Sequence, residues 1–157
     1  MRIQAYLEKS PVYQIRRAAQ VLTAQLEQML QATPEGRDLS FLEALLLVSI
    51  FLEDPRPAQP SRLADTFSTT RGNISHCVSS LEAKGLIRRR IDPEDTRAFQ
   101  LMLRPYGRKR ALELIAILDR LQRQLERRIG AAEIESALSV IGQVERICAS
   151  SAGSASA

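Results

Sequence analysis

Thr70-Arg-Gly-Asn-Ile-Ser-His-Cys-Val-Ser-Ser-Leu-Glu-Ala-Lys-Gly-Leu-Ile87, running on into Arg88-Arg-Arg-Ile-Asp-Pro-Glu-Asp-Thr-Arg97, is the stretch on which the fold turns. Thr70 has the side chain of a helix N-cap. Gly85 suits the left-handed residue that follows a helix, so the spacing predicts a helix between them. Advancing about 100° per residue from Arg71 gathers Ile74, Cys77, Val78 and Leu81 on one side. Gly72, Ser75, His76, Ser79 and Ala83 fall on the other. One face is apolar, and the opposite face is small or hydrogen-bonding, with no long acidic side chain near its start.

Upstream, Ser61 to Phe67 is expected to form a short helix with Leu63, Ala64 and Phe67 inward, and Ser68-Thr69-Thr70 a polar turn. Two helices joined by so short a turn make a helix-turn-helix, whose second helix lies in the DNA major groove. Gly72 lets the backbone approach closely, while Thr70, Arg71 and Asn73 surround the positive end of the helix dipole, where a phosphate is welcome. Thr70, Arg71, Gly72, Asn73, Ser75, His76 and Ser79 are therefore the candidate recognition surface. Any surface helix has a polar face, so the hairpin that follows carries weight. Leu86 to Ile91 and Ala98 to Leu103 are short β-like runs around a charged tip, Asp92 to Arg97. Arg88, Arg90 and Arg97 are candidate DNA contacts on this hairpin, because arginine suits the negative potential of a narrow minor groove. Asp95 is expected to partner a hairpin arginine, since a carboxylate repels phosphate.

Working outward, Ser10-Pro11 marks a helix start, followed by an apolar stripe through Ile15, Ala19, Leu22, Leu26 and Met29/Leu30. Ala32 to Asp38 closes that helix as a loop. Ser40 and Glu43 have capping-box spacing and open a helix that is apolar almost all round, hence buried. Asp54 to Pro60 is a proline-rich stop. Pro105 begins a long helix that ends at Gly130, and a final helix carries Ile134, Leu138, Ile141, Val144 and Cys148. Ser150 to Ala157 contains only Ser, Ala and Gly and is expected to be a disordered tail. The apolar stripes at the two ends of the chain exceed what one copy can bury, which points to a homodimer.

Charge follows the same division. The 157 residues carry a net charge of +4, with 22 basic and 18 acidic side chains. Residues 61–110 hold 11 basic against 5 acidic residues, a net of +6, and the remainder 11 against 13, a net of −2. A basic middle between slightly acidic flanks fits a nucleic-acid reader joined to an assembly module. Aromatic residues make up only 4% and Trp is absent, which argues against a stacking platform for single strands.

Leu81-Glu-Ala-Lys-Gly-Leu-Ile87, Arg88 through Arg97, and Leu103-Arg-Pro-Tyr-Gly107 together resemble the MarR family of bacterial and archaeal transcriptional regulators. Asp95-Thr96-Arg97 matches the Asp-x-Arg of that family's wing, and Asn73-Ile74-Ser75 the Asn-Val-Ser that often opens its recognition helix. The helix order extends the likeness over nearly the whole chain. The resemblance implies a mainly α fold with a small β-hairpin wing: a winged helix-turn-helix (39–104) between N-terminal (1–38) and C-terminal (105–149) dimerisation helices. It implies a homodimeric, cytoplasmic, nucleoid-associated repressor on a pseudo-palindromic operator in double-stranded DNA. It also implies a cleft for a small-molecule ligand, to which Tyr13, Arg16, Arg17, Leu45, Ser49 and Leu112 would contribute. There are departures. Arg104 replaces a Thr common before the long helix, Arg71 a Pro at the start of the recognition helix, and His76 a frequent basic residue. These bear on operator sequence and not on binding mode. The alternative is an architectural or protein-interaction winged helix with little sequence specificity.

Other chemistries find little support. A single His and two Cys cannot supply a zinc site, and no cofactor is expected. Cys77 and Cys148 are expected to be buried structural thiols. The acidic residues of the hairpin lie on an exposed turn with no concave apolar setting, so an enzyme is not expected. The longest apolar run, near Ala44 to Phe51, is far short of the ~20 residues of a membrane span.

Overall fold

A computed structural model describes residues 3–56, 58–92 and 99–154. The hairpin tip, including Asp95 and Arg97, lies outside them. The chain begins with helices α1 (Ile3–Lys9) and α2 (Pro11–Gln31). Ser10 separates them: its hydroxyl accepts from the Tyr13 amide at 3.4 Å, and Pro11 occupies the first turn. Helix α1 escapes the sequence reading because Met1 and Arg2 are not capping residue types.

Helix α3 (Phe41–Glu53) opens with the expected capping box. The Glu43 amide donates to Ser40 Oγ at 3.2 Å, and the Ser40 amide to Glu43 Oε2 at 2.6 Å. Helix α4 (Pro60–Thr66) starts one residue earlier than expected, with Pro60 in its first turn, and buries Leu63 and Ala64. Phe67 is only half-buried. The turn after α4 reverses tightly. The Ser68 amide donates to the Asp65 carbonyl (3.2 Å) and the Thr69 amide to the Ala64 carbonyl (3.0 Å). That geometry requires a left-handed residue, and Ser68 adopts φ 47°, where glycine is the usual choice.

Helix α5 (Arg71–Ala83) follows, capped by Thr70, whose hydroxyl accepts from the Asn73 amide at 3.1 Å. Gly85 takes φ 71° as the sequence requires. Strands β1 (Ile87–Ile91) and β2 (Phe99–Leu103) pair antiparallel, with Arg89 opposite Leu101. Leu86 stays out of β1 although its carbonyl accepts from the Arg104 amide at 2.9 Å. The Leu101 amide also donates to the Ala58 carbonyl at 2.9 Å, tying β2 to the segment before α4.

Helix α6 (Pro105–Ile129) and helix α7 (Ala131–Ser154) complete the chain, separated by Gly130 at φ 88°. Here the tail expectation fails in part. Ser150 to Ser154 continue α7, because Ala and Ser extend an existing helix at little cost.

The chain divides into a compact unit from Met1 to Ile117 and a second from Leu118 to Ala157. In the first, Leu46 and Leu47 of α3, Leu63 of α4, Ile74 and Leu81 of α5, Leu86, Ile87 and Leu101 form a closed core. Gly107, Ala111, Leu114 and Ile117 of α6 join it. The compact unit therefore reaches well beyond residue 104. In the second unit, no residue from 118 to 150 is buried.

Candidate nucleic-acid interface

The sides of α5 separate as the periodicity predicts. Ile74, Cys77, Val78 and Leu81 are buried, while Arg71, Gly72, Asn73, Ser75, His76, Ser79 and Ala83 are exposed. The N-terminal end is held by two threonines. Thr70 caps the helix, and Asn73 Nδ2 donates to Thr69 Oγ1 at 3.0 Å, which fixes the Asn73 amide. Thr69 is a positioning group that periodicity does not reveal, since it stands outside the helix.

The next arginines are sorted by strand alternation. Arg88 and Arg90 are exposed on one side of β1, and Arg90 Nη2 donates to Gln100 Oε1 at 3.2 Å. Arg89 turns the opposite way, onto α5. Its Nη2 donates to Ser79 Oγ at 2.6 Å, its amide to Glu82 Oε1 at 3.1 Å, and its Nε stands 3.3 Å from Glu82 Oε2. Ser79 thus accepts from Arg89 while keeping its own proton to donate.

The basic excess is smaller on the surface than in the sequence. Four basic residues of 61–110 pair with carboxylates: Lys84 with Glu43 at 2.9 Å, Arg89 with Glu82, Arg108 with Asp54, and Arg110 with Asp38. Arg110 is buried, and its fork also donates to the Glu35 carbonyl. The Arg108 guanidinium lies 5.5 Å from the Phe51 ring centre. Outside these pairs, Arg62, Arg71, Arg88, Arg90, Arg104 and Lys109 are the exposed basic side chains of the described segment. The positive surface is therefore concentrated near the start of α5, along the outer side of β1 and at the start of α6.

Titration supports a fixed frame behind this surface. The Arg110 guanidinium holds the Asp38 carboxyl below the usual carboxylate range. Burial alone would raise Glu43, but hydrogen bonds from Ser80 and the Ser40 amide, with Lys84, outweigh it and hold the carboxyl low. Burial pushes the Cys77 thiol up, with Glu43 adding to the effect. A raised thiol is a poor nucleophile, which fits a structural role. Cys148, by contrast, is exposed. Its place on the apolar stripe of α7 predicts burial, yet among the described residues that stripe is left exposed or half-buried.

The expected ligand residues differ in exposure. Tyr13, Leu45 and Ser49 are half-buried, and Arg16, Arg17 and Leu112 are exposed. None lines either of two described cavities. One, of about 190 Å³, lies among Ile50, Asp54, Arg56, Arg90 and Gln100. The other, of about 480 Å³, lies among Glu27, Phe41, Leu42, Asn73, His76 and Cys77. Among the described residues no cluster of His, Cys, Asp and Glu could hold a metal ion. No described helix is long and apolar enough to cross a membrane.

Residues 43–99 match the model of the MarR family. Three solved structures share the fold. The MepR–DNA complex of Staphylococcus aureus is 19% identical, with a TM-score of 0.79 over 90% of this chain and 98% of that one. A probable transcriptional regulator from Pseudomonas aeruginosa is 26% identical, with a TM-score of 0.69 over 88% and 98%. The PcaV regulator of Streptomyces coelicolor, solved with its natural ligand, is 21% identical, with a TM-score of 0.74 over 89% and 94%. No curated protein matches the chain by sequence.

Proposed function

From the premise that residues 43–99 form a MarR-family winged helix, the module of DNA-binding transcription regulators and not of an enzyme, we propose that the chain is a repressor. It binds a pseudo-palindromic operator in double-stranded DNA as a homodimer in the cytoplasm, at the nucleoid. The observation that carries this reading is the exposed face of α5, small and hydrogen-bonding, set beside an arginine-bearing strand. In this reading Ser75, His76 and Ser79 meet base edges in the major groove. Thr70, Arg71, Gly72 and Asn73 meet phosphate at the helix N-terminus. Arg88 and Arg90, together with Arg97 near the tip, serve the wing, and Asp95 steadies one of its arginines.

Dimer formation is supported by apolar side chains left exposed at both ends of the chain. Ile3, Tyr6, Val12, Val21 and Leu22 stand out near the N-terminus, and Leu138, Val140, Ile141 and Ile147 on α7. The two copies would present two recognition helices to successive major grooves, ~34–36 Å apart. A small ligand, held near Tyr13, Arg16, Arg17, Leu45, Ser49 and Leu112 between the dimerisation helices and the DNA-binding lobe, would relieve repression by favouring another spacing.

Selection of bound sequences from a random duplex pool tests the proposal. An enriched two-fold-symmetric site is the expected result. Equal affinity for the best site and for random duplex at physiological salt would refute it and favour an architectural winged helix.

A further inference from the structure

We propose that Arg89 is a positioning residue that locks the wing strand onto the recognition helix, setting the separation of the two DNA-reading surfaces without touching DNA itself. The inference rests on the DNA-binding reading above.

Its basis is the single inward member of the run Arg88-Arg89-Arg90. Successive side chains on a strand point to opposite faces, so one arginine in this run is directed at α5 while its neighbours face away. Arg89 finds a matching receptor there. Ser79 and Glu82 are three residues apart, hence on adjacent turns of one flank. Ser79 accepts from Nη2, the Glu82 carboxylate stands within ion-pair distance of Nε without a hydrogen bond to it, and Glu82 also accepts the Arg89 amide. Both main chain and side chain of one residue are thereby fixed to the same helix.

The hairpin needs such a fixture. The Lys84, Gly85 and Leu86 amides close the turn onto the carbonyls of Ser80, Glu82 and Leu81. From there β1 departs toward the tip. On the other edge β2 is held by the bond from the Leu101 amide to the Ala58 carbonyl. Arg89, opposite Leu101 in register, supplies the matching hold on β1. The hairpin is gripped at the same level on both edges.

The ion pair has little value as simple attraction. Arg89 and Glu82 side chains are 31% and 38% exposed, and such pairs are screened by water and salt. Its worth is geometric, because the directional holds are the hydrogen bonds from Nη2 to Ser79 and from the Arg89 amide to Glu82. The clamp also accounts for a carboxylate on the DNA-facing lobe. Glu82 would repel phosphate if left alone, and Arg89 neutralises it.

Charge and geometry predict opposite outcomes for Glu82. The full-length protein and its Arg89→Met, Arg89→Lys and Glu82→Met variants are titrated with the selected operator and a random duplex across a range of salt. A clamp predicts that Arg89→Met and Glu82→Met each lower the operator-to-random affinity ratio about tenfold, ~1.4 kcal/mol. It also predicts that Arg89→Lys fails to restore the ratio, since one ammonium cannot span both partners.

If Glu82→Met instead tightens binding to both duplexes alike, the clamp is refuted. So it is if Arg89→Met leaves the ratio intact and flattens the salt slope by about 0.9, the mark of one lost phosphate contact. A native protein that fails to distinguish the duplexes refutes the regulator reading instead. The clamp is then decided by hydrogen exchange in the DNA-free protein: slow exchange of the Arg89 amide that becomes fast in Glu82→Met upholds it, and unchanged exchange overturns it.

Discussion

At Gly107 one absent methyl group decides where α6 can begin. A Cβ built there would stand 2.0 Å from the Leu86 carbonyl oxygen, which already accepts the Arg104 amide. Neither backbone can retreat, because Leu86 is fully buried and the Gly107 turn is part of the core. Gly107→Ala is expected to destabilise the fold by at least ~1–3 kcal/mol, as overpacking does, seen as a lower urea midpoint. An unchanged midpoint would contradict the close approach. The outward residues of α5 were legible because side-chain direction on a helix follows from spacing alone. Arg110 was not legible. In sequence it belongs to a basic segment and resembles surface charge. Only folding brings Asp38, 72 positions away, beside it and buries the pair's positive member. Arg89 posed the same difficulty, since three consecutive arginines look equivalent until a strand assigns each a side.

The elements are held in register by carboxylates that act at their ends. Glu43 completes the α3 capping box with one oxygen and pairs with Lys84, the C-cap of α5, with the other. One side chain therefore joins the start of one helix to the end of another. Asp38 does the same between the loop after α2 and the first turns of α6. Both carboxyls titrate below their ordinary values of 4.5 and 3.8. A depressed folded-state pKa stabilises the protein at pH above the unfolded value and ceases to do so as pH falls through the folded one. Stability measured by urea unfolding is thus expected to be flat near neutrality and to fall below about pH 4.5. In Glu43→Gln that acid-side slope should become shallower; an unaltered slope would remove Glu43 from the account. The capping box, the helix stops at Gly85 and Gly130 and the hairpin were all visible beforehand, because each is a local code. The left-handed Ser68 was not, because a turn that normally selects glycine is here enforced by its surroundings.

For the whole molecule, the contrast between its two units carries the most information. One has a closed core, whereas the other, from Leu118 onward, exposes Leu125, Ile129, Leu138, Ile141 and Ile147. Sedimentation is expected to give a dimer at micromolar concentration, and a stable, folded monomer there would contradict the assignment. The buried Arg110 has a practical meaning as well. A hybrid regulator that joins this DNA-reading lobe to another protein's assembly helices cannot be spliced at residue 104. Such a graft would discard the glycine beneath Leu86, the cation opposite Asp54 and the anchor of the loop before α3. The transplantable cassette extends through Ile117, so a working chimera inherits the first turns of α6 from the donor of the specificity and only the remainder from its new host.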